Sequence, residues 1–209
     1  MSLVLVIDTS LHACSVGLFR DGAPVFASSE AMQRGHQERL GPLAAEALER
    51  AGVRPRELTH LGVTLGPGSF TGLRVGLSFA KGLAVGLNLP LQGIGTLEAL
   101  GHHPDLLGKR RVAVIDGGRG QIYIQVFDGE TVHEPRGVTA DSFDVRTDVL
   151  TGPGAHLLAG DAPVFEQGWP MPEALAALTL KGGHDDLTPL YMREADAVAS
   201  TRGIISISS

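Results

Sequence analysis

The stretch "LGPGSFTGLRVGLSFAKGLAVGL", Leu65 to Leu87, constrains this chain more than any other. Its apolar residues recur with helical spacing and its only charges are Arg74 and Lys81, yet it holds six glycines, at 66, 68, 72, 76, 82 and 86. A glycine inside a helix costs roughly 0.5–1 kcal/mol relative to alanine. Something must therefore come close to that backbone, and two occupants suit the pattern. In the first, residues 65–69 form an anion cradle: backbone N–H groups converge on a phosphate at the helix N-terminus, and Ser69 and Thr71 cap the helix or touch the ligand. The lysine of a P-loop is missing, since Leu73 and Arg74 stand where Gly-Lys-Ser/Thr would be. In the second, Gly72, Gly76, Ala80 and Ala84, every fourth residue, leave one stripe of an otherwise apolar helix almost bare, so that a second helix lies against it. That helix is either the chain's own "ERLGPLAAEALERAG" or one from another subunit.

Around this block the chain alternates strands and helices. Apolar strands are expected at Leu3–Asp8, Cys14–Arg20 and "VFASS", then a helix from Gln37 to Ala51 with Pro42 in its first turns or kinking it. The strand "HLGVTL", the glycine-rich helix, the strand "LPLQGI" and the helix "TLEALGHH" follow. Such alternation predicts an α/β layer on a mixed sheet. After the basic stretch "PDLLGKRR", the strands "RVAVID" and "QIYIQVFDG" repeat the opening pattern, and "DVLTGPGAHLL" repeats the strand and Gly-Pro-Gly of residues 63–73 in a shorter form. The chain therefore reads as a duplication with a reduced second half. The expected division is an N-terminal lobe at 1–103, a smaller lobe at 104–200, and a disordered tail at 201–209.

Composition narrows the function classes. With 17 basic and 23 acidic residues, net −6, the surface repels a polyanion, so a nucleic acid would be held mainly by a partner. The single Cys14 sits in an apolar run and reads as a buried thiol. "MSLVLVID" lacks the basic start and apolar length of a signal peptide, and Arg74 and Lys81 interrupt the one run that resembles a membrane span; a cytoplasmic protein is expected. Eight histidines form no His-x-x-x-His or His-Glu-x-x-His pair, and Ser69 lies in no nucleophile elbow. Asp8, followed by Thr9 and Ser10 at a strand end, and its counterpart Asp116 are placed either to hold a hydrated metal beside a nucleotide or to satisfy loop N–H groups.

"VLVIDTSLHACSVGLF", "RGHQERLGPLAAEAL", "TLGPGSFTGLRVGLSFAKGLA", "VIDGGRGQIYIQVF" and "PLYMRE" together resemble the TsaB (YeaZ) family. Its members are the smaller paralogues of TsaD in the bacterial machinery that makes threonylcarbamoyladenosine beside the tRNA anticodon. The resemblance runs from about Leu3 to Glu194. It implies an actin-like ATPase, ribonuclease H-like fold in two lobes, each a mixed sheet flanked by helices. It also implies a non-catalytic subunit. Where TsaD carries a metal-binding His-x-x-x-His, this chain has Thr96 and Leu100, and no metal site of its own is expected. The implied partners are a TsaD-like catalytic subunit, a TsaE-like ATPase, a second copy of the chain in isolation, and tRNA only through the complex; there is no membrane partner. The implied interface uses Arg39, Leu40, Leu43 and Ala47 of one helix and Gly72, Arg74, Val75, Gly76, Phe79, Ala80 and Leu83 of the other. Arg74 and Lys81 would pin local carboxylates or the interface rim. Asp8, Thr9, Ser10, Gly66, Gly68 and Ser69 would be a vestigial nucleotide site, with at most weak Mg-ATP or Mg-ADP binding in the complex and otherwise no cofactor. The family's usual Asp-Ala-Arg is Asp116-Gly117-Gly118-Arg119 here. The rival readings are an independent ATPase or small-molecule kinase built on Asp8, Thr9 and residues 66–69, and the metallopeptidase of the old M22 glycoprotease label, for which the sequence supplies no residues.

Overall fold

The computed structural model describes residues 1–143, 146–158 and 160–191; the expected tail at 201–209 and the end of "PLYMRE" lie outside them. The first half contains β1 (Leu3–Asp8), β2 (Ala13–Arg20), β3 (Ala23–Ala31), α1 (His36–Arg50), β4 (His60–Gly66), α2 (Phe70–Leu87), β5 (Leu91–Gly95) and α3 (Thr96–Gly101). The second contains β6 (Arg111–Gly118), β7 (Gln121–Asp128), β8 (Thr131–Val132), β9 (Arg136–Thr139), β10 (Val149–Thr151), β11 (Val164–Phe165) and α4 (Pro172–Lys181).

The duplication is visible in the pairing. The first sheet has the order β3-β2-β1-β4-β5, with β2 antiparallel to β1 and both β4 and β5 parallel to their neighbours. The second runs β8-β7-β6-β10-β11 with the same pattern of directions, and β9 also pairs with β7. Two such mixed sheets with flanking helices form the actin-like architecture expected. Its reduction is local: where β4 is followed by the 18-residue α2, β10 is followed by a single 3₁₀ turn at Ala155–Leu157.

Burial follows strand parity. Leu3, Leu5 and Ile7 of β1 join Leu40, Leu43, Ala47, Leu77 and Ala80 under α1 and α2. Val4 and Val6 face the other way, onto Leu175, Ala176 and Leu178 of α4. Pro42 lies inside α1, which continues through it to Arg50. Cys14 is buried as expected; burial and, to a smaller degree, the nearby carboxylates of Glu30 and Asp8 push its thiol up to about 11.

Packing crosses the boundary expected near residue 103. Helix α3 buries Leu97 and Leu100 against Ala113, Ile115, Tyr123 and Phe127 of the second sheet. Helix α4, assigned by chain order to the second lobe, lies on β1, β2 and β4 of the first. Helix α3 thus lies between the sheets, with Ala99 on the first and Leu97 and Leu100 on the second, and α4 covers the face of the first sheet that α1 and α2 leave bare. Among the described residues no helix is long and apolar enough to cross a membrane.

Candidate functional site

The six residues of the expected nucleotide site come together as a clasp inside the first sheet. Asp8, Thr9 and Ser10 are buried at the end of β1. The Oδ1 atom of Asp8 accepts three hydrogen bonds, from the Ser10 N–H at 2.9 Å, the Ser10 hydroxyl at 2.6 Å and the Thr64 hydroxyl at 2.7 Å. Its Oδ2 atom is buried without a hydrogen-bond partner. Thr9 donates its hydroxyl to the Gly72 carbonyl at 2.7 Å, and the Ser69 N–H donates to the Ser10 carbonyl, also at 2.7 Å. The Ser69 hydroxyl caps α2 by accepting from the Gly72 N–H. A Cβ on Gly68 would stand 2.2 Å from the Ser10 carbonyl oxygen, and buried Gly66, at φ +113°, lies against the Leu190 carbonyl. Apart from Asp8 Oδ2, these groups serve one another; the set does not fit a nucleotide held by Asp8, whose carboxylate is closed off from solvent. Thr96 and Leu100 are both buried, and Leu100 offers no donor atom, so this pair does not fit a metal either.

Burial pushes the Asp8 carboxyl up, and its bonds to Ser10 and Thr64 oppose that only in part. A carboxyl whose folded pKa lies above its unfolded value is bound more tightly to its proton in the native state. Its contribution to stability is present below the unfolded pKa and is lost as pH rises through the folded one. Asp8→Asn keeps an acceptor but removes the charge, so its melting temperature relative to the unaltered chain should rise between pH 4 and pH 7. A difference independent of pH would mean that the buried carboxyl is not destabilising when ionised.

The glycines of α2 divide into two sets. A Cβ on Gly72 would lie 2.0 Å from the Thr9 carbonyl oxygen, and one on Gly76 would lie 2.5 Å from the Thr9 hydroxyl. Gly72, Gly76 and Ala80 are therefore the face that beds α2 onto its own sheet. With them go Leu40, Leu43 and Ala47, all buried in the same core. This corrects five positions of the expected partner interface, Leu43, Ala47, Gly72, Gly76 and Ala80: they are interior, the bare stripe because its closest neighbour is the turn after β1 and not another helix, while Leu40, buried in the same core, also borders the groove between the helices.

The opposite face is open. Thr71, Arg74, Ser78, Lys81, Gly82, Val85 and Gly86 are exposed, Val85 by 84%. Among the described residues, nothing beyond the helix's own neighbouring backbone lies within 4 Å of a Cβ added at Gly82 or Gly86. Val75, Phe79 and Leu83 are half-buried beside them, and with Leu40, Phe70 and Gln37 the first two line a groove of about 520 Å³ between α1 and α2. Among the described residues Arg74 pins no carboxylate: its guanidinium lies 3.8 Å over the Phe70 ring and donates to the Tyr191 hydroxyl at 3.3 Å. Arg39 is tied within the chain, to Glu30 and Glu46, and holds the Glu30 carboxyl below its usual range. Phe70, Ser78, Gly82, Val85 and Gly86 are additions to the expected set. The four-residue spacing of Ser78, Gly82 and Gly86 is the sequence signal for this face, parallel to the stripe of Gly72, Gly76 and Ala80 and displaced around the helix.

Comparison with known proteins places these features. The family model described as "TsaD: tRNA N6-adenosine threonylcarbamoyltransferase" matches residues 28–177. The tRNA threonylcarbamoyladenosine biosynthesis protein TsaB of Escherichia coli is 38% identical over 122 residues, 57% of this chain and 52% of that protein. TsaB of Haemophilus influenzae is 36% identical over 136 residues, 64% of this chain and 57% of that protein. The matched part thus spans about half the length of these curated relatives. An uncharacterized protein of Mycobacterium tuberculosis is 32% identical over 202 residues, 94% of both chains. Among solved structures, YeaZ from Pseudomonas aeruginosa superposes with a TM-score of 0.79 at 24% identity, over 91% of this chain and 100% of that one.

Proposed function

This chain belongs to the TsaB (YeaZ) family, and from that premise we propose that it is a non-catalytic subunit of the machinery that makes threonylcarbamoyladenosine in tRNA. In this reading it binds a TsaD-like catalytic subunit through the outer face of α2 and the groove beside α1. In isolation it pairs with a second copy through the same face. A TsaE-like ATPase joins the complex, tRNA is reached through it in the cytoplasm, and the chain carries no cofactor of its own.

One observation carries this reading: the exposed face of α2 combines Val85, 84% exposed, with Gly82 and Gly86, beside which no other described element comes within 4 Å. Glycines destabilise a helix unless a neighbour uses the space they leave, and an apolar helical face with a groove beside it is suited to another helix. The clasp around Asp8 supports the non-catalytic part, since Asp8 Oδ1, the Thr9 and Ser10 hydroxyls and the Ser69 N–H are engaged with one another and the carboxylate is closed off from solvent.

Mixing the purified chain with its TsaD-like partner, with and without Mg-ATP, and following sedimentation velocity tests the proposal. A stable heteromeric species is expected. No association in either condition would leave the likeness as common descent without a shared role. Tight Mg-ATP binding to the isolated chain, abolished by Asp8→Ala, would overturn the reading in favour of an independent ATPase.

A further inference from the structure

The second sheet carries a pocket that the proposed scaffold role does not use. Strand parity builds it. Arg110 precedes β6 and shares the parity of Val112; Val112 faces Val126 across the β6–β7 ladder, and Ile124 faces Arg136 across the β7–β9 ladder. All of these therefore project from one face of the sheet, whereas Arg111 projects from the other and is buried, donating to the Gly101 carbonyl. Phe143 and Arg146 close the far side of a cavity of about 480 Å³. Its floor is aliphatic, and among the described residues its rim holds Arg110, Arg136 and Arg146 with Glu134.

Two of these cations, Arg110 and Arg136, carry the argument. Among the described residues no carboxylate lies within ion-pair distance of the Arg110 or Arg136 guanidinium; Asp148 accepts only the backbone N–H of Arg110, at 3.0 Å. The Arg136 guanidinium sits 5.6 Å from the centre of the Phe143 ring, which places a cation and a flat aromatic side by side. In a chain of net charge −6, such a cluster stands against the overall field. Guanidinium forks match phosphate oxygens, and an aromatic beside them offers a stacking surface for a base.

We propose that this pocket is a nucleic-acid contact: it receives a phosphate and an unpaired base of an RNA strand, so that the chain touches RNA with its own second sheet. This rests on the reading that the chain works on RNA within a complex, and it goes further by assigning direct contact to Arg110, Arg136 and Phe143.

The test uses a fluorescein-labelled tRNA transcript titrated with the full chain alone and with the chain assembled on its TsaD-like partner, between 50 and 200 mM salt, followed by anisotropy. The Arg110→Glu/Arg136→Glu pair should weaken binding at least tenfold in whichever form binds. It should also flatten the slope of log K against log salt by about 1.4, from two phosphate contacts at about 0.7 each for a single strand. An Arg20→Glu/Arg56→Glu pair, with the same charge change elsewhere, should stay within twofold. If the first pair melts at lower temperature, Arg110→Gln/Arg136→Gln is read in its place. Affinity and slope equal to those of the unaltered chain would overturn the site, as would an equal loss in the control pair or no RNA binding in either form. Binding of AMP to the isolated chain that disappears in the arginine variants, with RNA binding unaffected, would reassign the pocket to a mononucleotide. Sedimentation with the partner separates the two proposals: normal assembly without arginine-dependent RNA contact sinks only this one. Arginine-dependent RNA binding without assembly sinks only the scaffold.

Discussion

Replacing Gly72 by alanine should lower the stability of this protein by about 3 kcal/mol or more, the upper part of the range for overpacking a core. The added methyl carbon would lie 2.0 Å from the Thr9 carbonyl oxygen and 3.2 Å from its carbon, and both belong to backbone that is pinned. Thr9 is held by its own bond to the Gly72 carbonyl, and Ser10 by the Ser69 N–H and by Asp8. The clash can be relieved only by lifting α2 from the sheet, which also loosens Leu73, Leu77 and Ala80. Alanine's better helix propensity opposes this by at most about 1 kcal/mol. At roughly 2–4 °C per kcal/mol for a chain of this length, the melting temperature should fall by about 6–12 °C. A Gly72→Ala protein that melts at or above the temperature of the unaltered chain would show that α2 does not sit on the turn after β1.

Gly82→Leu, ten residues along the same helix, should do the reverse to the fold and damage association. Its side chain enters open space in the isolated chain, and leucine is the better helix former, so stability should be unchanged or should rise by up to about 1 kcal/mol. If a partner helix packs against the bare backbone there, the new side chain holds the two apart. An overpacking penalty of about 1–3 kcal/mol corresponds to a loss of about 5- to 150-fold in affinity for the TsaD-like subunit, and to weaker self-association. Sedimentation equilibrium on the folded variant measures this directly. Affinity undiminished by Gly82→Leu would remove the outer face of α2 from the interface. Lost stability would mean that the residue is used within the chain after all.

The opposite signs expected at Gly72 and Gly82 show how far the residues alone could be read. Both glycines have the same neighbours in kind, and both lie in four-residue stripes. Helical spacing fixes the angle between two residues around the helix axis, but not which side the sheet occupies. The expected interface therefore mixed the two faces: Arg74, Val75, Phe79 and Leu83 lie toward the outside, while Gly72, Gly76 and Ala80 face inward. The same limit hid the arginine pocket. Arg110 and Arg111 are adjacent in a basic stretch, yet the alternation of β6 sends one to the rim of a cavity and the other beneath Gly101.

By itself the sequence determined the five strands of the first sheet, the three that echo them in the second, the duplication and the need for close approach at the glycine-rich helix; β8, β9, β11 and α4 are not among these. Apolar period, turn residues and the absence of Cβ atoms act between neighbours in the chain, so they are written locally. Tertiary structure alone decided that Thr9 fills the space at Gly72 and that Gly82 stays open. It also decided that α3 lies between the two sheets and α4 on the first, and that Asp8 is closed into a clasp with Ser10 and Thr64. Each of these is a contact between residues far apart in the chain, whose energy depends on which apolar faces are left to cover once the sheets have formed.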